Sequence, residues 1–196
     1  MTNNKILKFT HHEQIKNHHD PYATCNVTSL STWLSCYNVN VSPDILFERA
    51  NSDHYKKLAI DNGIPWDDQF AKDNKLNQVG WVLETLADEY LKSNKPQFKT
   101  DWLDMQEITD CIDNGNPVIL FGLFTHAGHI ICCVGYNSLG LIISDPWGDW
   151  STNYESKNGN GITYLYTELQ KEIIVDNIPR QILTGSNGKY WGLAIK

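Results

Sequence analysis

Residues 129–145 have the sequence HIICCVGYNSLGLIISD. Two apolar runs, 129–136 and 141–144, flank NSLG at 137–140, and these four residue types favour a tight turn. The segment therefore predicts a β-hairpin. Within its first strand the adjacent Cys132 and Cys133 are expected to point to opposite faces of a sheet, because side chains alternate along a strand.

Further strands are predicted on both sides of this hairpin. Residues 117–121, PVILF, are a continuous apolar run typical of a central strand that is buried on both faces. Residues 162–166 and 190–195 are two more predicted strands. The C-terminal part of the chain therefore predicts a sheet.

The N-terminal part has helical periodicity instead. From Cys25 onward, apolar residues recur at three- and four-residue steps, which predicts an amphipathic helix of about three turns. Ser42 before Pro43 is typical of a helix start, with Ser as the cap. Another amphipathic helix is predicted where apolar residues return with the same spacing: Val79, Val82, Leu83, Leu86 and Tyr90.

One more short helix is predicted between the two halves. Asp104 and Glu107 have the spacing of a capping box, and Asn114-Gly115 marks the helix end. Helices first and sheet second predict an α+β fold, in which N-terminal helices pack on a C-terminal antiparallel sheet. A chain of this length fits a single domain, 1–196.

Composition and charge limit the possible partners and compartments. A net charge of −7, with 16 basic residues scattered among 23 acidic ones, argues against a nucleic-acid partner. The first residues, MTNNKILKFTHHEQ, lack the apolar core of a signal peptide, and no apolar run is long enough for a membrane span. The sequence therefore predicts synthesis in the cytoplasm; action outside the cell would require release by another factor. Five cysteines without a CxxC pair predict neither a disulfide framework nor a zinc site.

Three residues have the types and order of a thiol hydrolase site. Cys25 lies at a predicted helix N-terminus, where the helix dipole and free N–H groups stabilise a thiolate. A thiolate nucleophile needs an imidazole, and the imidazole needs a group that fixes its tautomer. The hairpin brings its ends together, so His129 and Asp145 can be that pair. Alternatively, Cys25 packs at a helix start, His129 is a core residue and Asp145 caps a turn.

Several blocks of sequence resemble the double-glycine (bacteriocin leader) peptidase-like branch of the papain-like cysteine peptidases. In family order they are Gln14-Ile15-Lys16-Asn17, Thr24-Cys25-Asn26-Val27-Thr28-Ser29-Leu30, Asn114-Gly115-Asn116-Pro117-Val118-Ile119, Gly128-His129, Val134-Gly135-Tyr136 and Asp145-Pro146-Trp147-Gly148. The resemblance implies a papain-like fold and cleavage of peptide bonds. It implies no metal and no cofactor.

The resemblance also implies a role for each matched residue. Cys25 would be the nucleophile, His129 the general base and Asp145 the carboxylate that orients it. Gln14 would donate its side-chain amide to the oxyanion, beside the backbone N–H of Cys25.

The sequence departs from the family pattern after the nucleophile, where Asn26 replaces a common glycine. Asn26 and Trp147 are the predicted substrate-binding residues next to the thiol. The Asn variant, with a Tyr- and Gly-rich tail over 151–196, resembles small phage-associated members and implies peptides of the bacterial cell wall as substrate. Aromatic residues after Asp145 could shape a shallow groove for it: Trp147, Trp150, Tyr154, Tyr164 and Tyr166.

Other functions remain open at this point. The net charge of −7 would repel anionic wall polymers, so a peptidase acting on intracellular proteins or peptides is an alternative. The same triad could transfer an acyl group to an amine, and a catalytically silent papain-like domain could serve as a binding module. His126 and His129 form an HxxH pattern, but a loop leading into a strand lacks the helical geometry of a zinc site.

Overall fold

The computed structural model describes residues 4–63, 80–92, 98–175, 178–183, 185–186 and 189–195. Its N-terminal part contains helices α1 (Cys25–Ser35), α2 (Pro43–Ala50), α3 (Asp53–Asp61) and α4 (Gly80–Leu91). The predicted helices at Cys25 and Ser42 are confirmed. Most of the predicted third helix corresponds to α4, and Val79 lies outside the described residues. Within the described part of the chain, no helix has the length and apolar character needed to cross a membrane.

Local hydrogen bonds explain where two of the helices begin. The Ser42 hydroxyl accepts the backbone N–H of Ile45 at 3.3 Å, as a helix cap does. Helix α5 (Met105–Asp113) starts with a complete capping box: Asp104 accepts the Glu107 N–H at 2.8 Å, and Glu107 accepts the Asp104 N–H at 2.7 Å. The chain then turns at Gly115, whose φ of +83° favours glycine.

The main sheet is antiparallel. Its central strands follow the order β2 (Phe98–Leu103), β10 (Lys189–Ile195), β3 (Val118–Gly122), β4 (His129–Tyr136), β5 (Gly140–Ser144) and β6 (Ile162–Leu165). The predicted strands correspond to β3, β4, β5, β6 and β10. Tyr166, predicted as the end of a strand, instead opens the short helix α6 (Tyr166–Leu169).

Shorter strands complete the described structure. Strand β1 (Lys5–Ile6) pairs with β4, and β9 (Gly185–Ser186) pairs with β10. Strands β7 (Glu172–Val175) and β8 (Ile178–Gln181) form a separate hairpin. Together with β2 and α3, these elements were not predicted from the sequence.

Two hydrophobic cores lie on the two faces of the sheet. Helix α1 covers one face, where Leu30 and Leu34 belong to the same buried cluster as Cys132. Helix α5 covers the other face, where Ile108 and Ile112 share a cluster with Cys133. The prediction that Cys132 and Cys133 point to opposite faces is therefore confirmed. Each fully buried aliphatic side chain contributes about 1.5–3 kcal/mol to stability.

Helix α1 is also fixed to the sheet by a polar contact. The Trp33 ring is fully buried, and its Nε1–H donates to the carbonyl oxygen of Pro117 at 2.7 Å, just before β3 begins. Because Trp33 lies in the same helix as Cys25, this bond helps to set where the thiol stands over the sheet.

The N-terminal segment runs across the sheet towards the end of β5. Strand β1 pairs with Gly135 and Tyr136 of β4, and the Leu7 N–H donates to the Val134 carbonyl oxygen at 2.8 Å. The chain then reaches a short 3-10 turn, Gln14–Lys16. The backbone N–H of Gln14 donates to the Pro146 carbonyl oxygen at 2.9 Å, which places Gln14 beside the residues that follow β5.

Candidate active site

The β4–β5 hairpin brings His129 and Asp145 into contact. His129 is the first residue of β4 and Asp145 directly follows β5, so both stand at the open end of the hairpin. His129 Nε2 and Asp145 Oδ1 are 2.7 Å apart, and both residues are buried. The predicted proximity of the two residues is confirmed. The bond fixes the ring so that Nδ1 is the nitrogen left for another partner.

Cys25 is the first residue of α1; it lines the same cavity as His129 and interacts with it closely enough to raise the pKa of the imidazole. The Cys25 thiol is partly exposed, whereas Cys132 and Cys133 are buried in the cores. A partly exposed thiol at a helix N-terminus, in contact with an imidazole, has the surroundings of a reactive cysteine.

The neighbours of His129 determine its protonation. Burial alone would lower its pKa, but the hydrogen bonds to Asp145 and Cys25, together with their charges, outweigh burial and raise the pKa of His129 to about 9. The imidazolium form is therefore favoured at neutral pH. A protonated imidazole next to a thiol stabilises the thiolate.

Asp145 is fully buried and is held by further donors. The backbone N–H of Trp147 donates to Oδ1 at 2.9 Å. The hydroxyl groups of Tyr164 and Tyr154 contact Oδ2 at 2.7 Å and 3.4 Å. Both oxygens of the carboxylate are thus engaged, as a buried charge requires.

Tyr164 and Tyr166 differ from the sequence-based expectation that they shape a groove. Tyr164 is only 1% exposed and cannot line an open surface. Tyr166 donates to the Asn137 carbonyl oxygen at 3.4 Å, at the turn end of the hairpin, far from Asp145. No local pattern in the sequence indicates a hydroxyl contact that forms only when β6 pairs with β5.

Gln14 is placed between the loops that carry Cys25 and Asp145. Its side chain is buried, and its Nε2 donates to the carbonyl oxygen of Pro21 at 2.9 Å. A primary amide has two N–H groups, so a second donor remains. Among the described residues, Gln14 Oε1 has no hydrogen-bond partner. The oxyanion role of Gln14 stays a prediction.

The two predicted substrate-binding residues have different surroundings. Asn26 is fully buried, and its Oδ1 accepts the Val27 N–H at 2.7 Å, so it presents no surface to a ligand. Trp147 is partly exposed and meets the ring of Tyr22 edge-on, with centroids 5.7 Å apart. Lys157 Nζ lies 5.1 Å from the centre of the Trp147 ring. Of these two residues, Trp147 has accessible surface and Asn26 has none.

A cavity of about 320 Å³ opens beside Cys25. It lies at the start of α1, whose first residue is Cys25. Apart from Cys25 and His129, its lining residues are apolar or glycine; the larger ones are Phe121, Leu123, Ala127, Ile130 and Trp191. In the strand order, β10 and β3 lie on one side of β4 and β5 on the other, so the cavity and Trp147 lie on opposite sides of His129.

The remaining histidines near the site have individual roles. His11 Nδ1 lies 2.7 Å from the Ser144 hydroxyl, one residue before Asp145, and burial lowers its pKa. In the HxxH pattern, His126 is exposed while His129 is buried and bonded to Asp145. In the part of the chain that the structure describes, no three His, Cys, Asp or Glu side chains are grouped so as to hold a metal ion.

Comparison with known proteins agrees with this geometry. The sequence matches the model of the Peptidase_C39 like family over residues 6–172. The protein is therefore a cysteine peptidase, and it belongs to the Peptidase_C39-like family, which confirms the resemblance noted in the sequence. A search of curated proteins gave no match.

A solved structure shows the same fold. A protein of Bacillus anthracis described as a C39-like peptidase superposes with a TM-score of 0.54 at 19% sequence identity. The alignment covers 75% of this chain and 84% of that one. The prediction of an α+β fold, with N-terminal helices on a C-terminal antiparallel sheet, is confirmed.

Proposed function

We propose that the protein hydrolyses peptide bonds through a Cys25–His129–Asp145 triad, with Gln14 as an oxyanion donor. The observation that carries the proposal is the grouping of residues at the start of α1: Cys25 and His129 line one cavity and interact electrostatically, and His129 Nε2 lies 2.7 Å from Asp145 Oδ1. This is the nucleophile, base and orienting group of a thiol peptidase.

The geometry supports a two-stage reaction. The Cys25 thiolate attacks the peptide carbonyl, and the backbone N–H of Cys25 with the free N–H of the Gln14 amide stabilises the oxyanion. The imidazolium of His129 then gives its proton to the leaving amine, which breaks the peptide bond and leaves a thioester. Water attacks the thioester while His129 accepts its proton, and the acid is released with the thiolate restored.

Asp145 keeps His129 in the orientation that both stages need. With Nε2 bonded to Asp145, Nδ1 is the ring nitrogen available to the thiol and to the leaving group. The carboxylate also favours the imidazolium, which raises the pKa of His129 to about 9 despite burial. His129 therefore carries, at neutral pH, the proton that the leaving amine requires.

Labelling with iodoacetamide followed by peptide mapping tests the nucleophile. We expect one fast-reacting cysteine, Cys25, and slow reaction at the other four. His129→Ala should reduce the rate at Cys25 to that of the others. Equal and slow reaction of all five cysteines would contradict the proposal and favour a catalytically silent binding module.

For the substrate, we propose short exposed peptides, with the stems or bridges of bacterial cell wall as the leading candidate. The support is the likeness to small phage-associated members at Asn26 and the aromatic pair of exposed Tyr22 and partly exposed Trp147, which lies two residues after Asp145. An aromatic surface of this kind binds flexible, partly polar chains.

The cavity beside Cys25 favours a second candidate, a peptidase that processes intracellular proteins or peptides. A small or charged side chain would gain little from an apolar cavity of about 320 Å³. A large aliphatic or aromatic side chain near the cleaved bond would bury its surface there, at a gain of roughly 1.5–3 kcal/mol.

One experiment separates the two substrate classes. Purified peptidoglycan and a mixed peptide library are each incubated with the enzyme and with Cys25→Ala, and the products are identified by mass spectrometry. New wall fragments would support the first candidate. Cleavage of library peptides next to a large apolar residue, with walls left intact, would support the second. No product from either substrate would contradict the proposal of a peptidase with these substrates.

A further inference from the structure

Asp145 is held by a tyrosine that lies outside the proposed triad. Tyr164 of β6 is 1% exposed, and its hydroxyl lies 2.7 Å from Asp145 Oδ2. Oδ1 of the same carboxylate faces His129 and the Trp147 N–H. Both oxygens of the carboxylate are thus hydrogen-bonded. Tyr164 is the close partner of Oδ2, the oxygen that does not face the imidazole.

The direction of this hydrogen bond follows from the other partners of Tyr164. Its hydroxyl oxygen accepts the backbone N–H of Trp150 at 2.9 Å. A hydroxyl has one hydrogen to donate, and of the acceptors in reach, Asp145 Oδ2 at 2.7 Å is much closer than the Gly148 carbonyl oxygen at 3.4 Å. Burial, followed by the negative charge of Asp145, raises the pKa of Tyr164, so the hydroxyl keeps its proton.

The ring of Tyr164 is itself fixed in place. It packs against Trp150 and Phe124, with ring centroids 5.5 Å and 5.9 Å away. Phe124 in turn meets the His129 ring edge-on at 6.5 Å. These aromatic rings lie around the buried carboxylate, where an unmade hydrogen bond is costly.

We propose that Tyr164 is a positioning residue, which fixes the rotation of the Asp145 carboxylate so that Oδ1 stays directed at His129. This inference rests on the proposed triad. Without the Tyr164 hydroxyl, Oδ2 would have only the 3.4 Å contact with Tyr154, and the carboxylate could turn towards other donors. His129 would then lose part of the interaction that favours its imidazolium form.

Tyr154 supports the same carboxylate more weakly. Its hydroxyl is 3.4 Å from Oδ2, and its ring meets the His129 ring edge-on at 6.0 Å. Unlike Tyr164, it is partly exposed, so water can replace its hydroxyl. We therefore expect it to contribute less than Tyr164.

Several ionisable groups act on this site and must be considered in any titration. Asp145 is hydrogen-bonded to His129, and Cys25 interacts with it. His11 interacts with Asp145, and Asp149 interacts with Tyr154. A substitution at Tyr164 leaves all of these side chains in place, so a changed titration of His129 would report on Asp145.

The test is a histidine titration by NMR, which needs no substrate. Chains labelled with ¹⁵N-histidine are titrated from pH 5 to 11 as wild type, Tyr164→Phe and Tyr166→Phe, and the His129 signal is identified by its absence in His129→Gln. Tyr166→Phe is the matched control, because it removes a hydroxyl bonded to Asn137 at the far end of the hairpin.

We expect the midpoint of His129 near 9 in wild type and in Tyr166→Phe, and at clearly lower pH in Tyr164→Phe. An unchanged midpoint, or one at higher pH, would overturn the proposal. If Tyr164→Phe does not fold, Tyr154→Phe decides, with a smaller shift in the same direction expected and no shift contradicting the proposal.

The kinetic readout separates this proposal from the triad itself. On a peptide that the enzyme cleaves, Tyr164→Phe should lower kcat by roughly 10-fold with KM unchanged, as for outer partners of histidine–carboxylate pairs in metal sites, whose loss costs roughly 10- to 100-fold. If the proposed triad is wrong, Cys25→Ala will instead keep full activity. The NMR titration needs no substrate, so its result does not depend on the activity of Cys25→Ala.

Discussion

The backbone N–H of Gln14 donates to the carbonyl oxygen of Pro146 at 2.9 Å. This bond joins the N-terminal segment to the loop that starts at Asp145. The Gln14 side chain at the same time donates to Pro21, four residues before Cys25. One residue therefore connects the loop before the thiol to the loop after the carboxylate.

The role of Gln14 can be measured directly. We expect Gln14→Ala to lower kcat by roughly 10²–10³-fold with little change in KM, because an oxyanion donor acts in the transition state. Steady-state kinetics on a cleaved peptide would show this, with circular dichroism to confirm the fold. An unchanged kcat would mean that the amide only holds the Pro21 loop.

The thiol and its base should be indispensable. Cys25→Ala or His129→Ala is expected to lower kcat by roughly 10⁴- to 10⁶-fold, the range found when triad members are removed elsewhere. Cys111→Ala is the matched control, since Cys111 is a half-buried cysteine of α5 away from the site. Comparable activity in Cys25→Ala and Cys111→Ala would rule out Cys25 as the nucleophile.

The stability of the protein should fall as the pH rises from about 6.5 to about 9. The reason is the pKa of His129 in the folded protein: burial lowers it, but Asp145 and Cys25 outweigh burial and raise it to about 9. A histidine whose pKa is raised by folding stabilises the folded protein. This stability is complete below the pKa of the unfolded chain, and it is lost as the pH rises through the pKa of the folded protein. Burial lowers the pKa values of His11 and His12, so these two residues make the stability depend on pH only below about pH 6.5.

Urea unfolding at a series of pH values measures this effect as the free energy of unfolding. His129→Gln should reduce the decline that wild type shows between pH 6.5 and 9. The part that remains near pH 9 is expected from Cys36 and Cys133, because burial raises their pKa values to about 12. An equal decline in both chains would assign it to other groups.

The apolar cavity predicts a change in specificity. Ala127 lies on its exposed rim, so Ala127→Phe should fill part of the space. We expect kcat/KM to fall by roughly 10- to 200-fold for peptides with a large apolar residue, while peptides with alanine there are cleaved as before. Leu139→Phe, at the turn end of the hairpin, is the control. Equal losses for both peptides would show that the cavity does not select the side chain.

The bond between Trp33 and Pro117 should contribute to the stability of the α1–sheet contact. Trp33→Phe leaves a buried carbonyl oxygen without its donor, which costs about 1–3 kcal/mol. Trp102→Phe changes a ring that is 44% exposed and should alter the free energy of unfolding by less than about 0.5 kcal/mol. Urea unfolding of both variants checks the difference, and equal effects would mean that the Trp33 bond adds nothing.

Elements with a strong local signal could be predicted from the sequence. The capping box depends on only two residues, Asp104 and Glu107. The hairpin at 129–144 combines apolar strands with a turn motif. Helix α3 has no such signal, because it buries only Tyr55 and Ala59. Strand β1 has two exposed residues, so its pairing with β4 depends on the rest of the sheet.

The same distinction holds at the site. His129 and Asp145 are joined by one hairpin, so their contact follows from local pairing. The contact of Tyr164 with Asp145 depends on how β6 lies against β5 and on which way a hydroxyl turns. For Asn26, sequence position alone was not enough to predict exposure: it directly follows Cys25, but the turn of α1 directs its side chain inwards, where it is fully buried.

The order of elements along the chain has a consequence during synthesis. Cys25 lies in the first helix, whereas His129, Asp145 and Tyr164 all belong to the late hairpin and the strand beside it. A growing chain on the ribosome therefore exposes the thiol long before its imidazole exists. A nascent chain that ends before Asp145 lacks part of the proposed triad, so the proposed activity can begin only after β5 has joined the sheet.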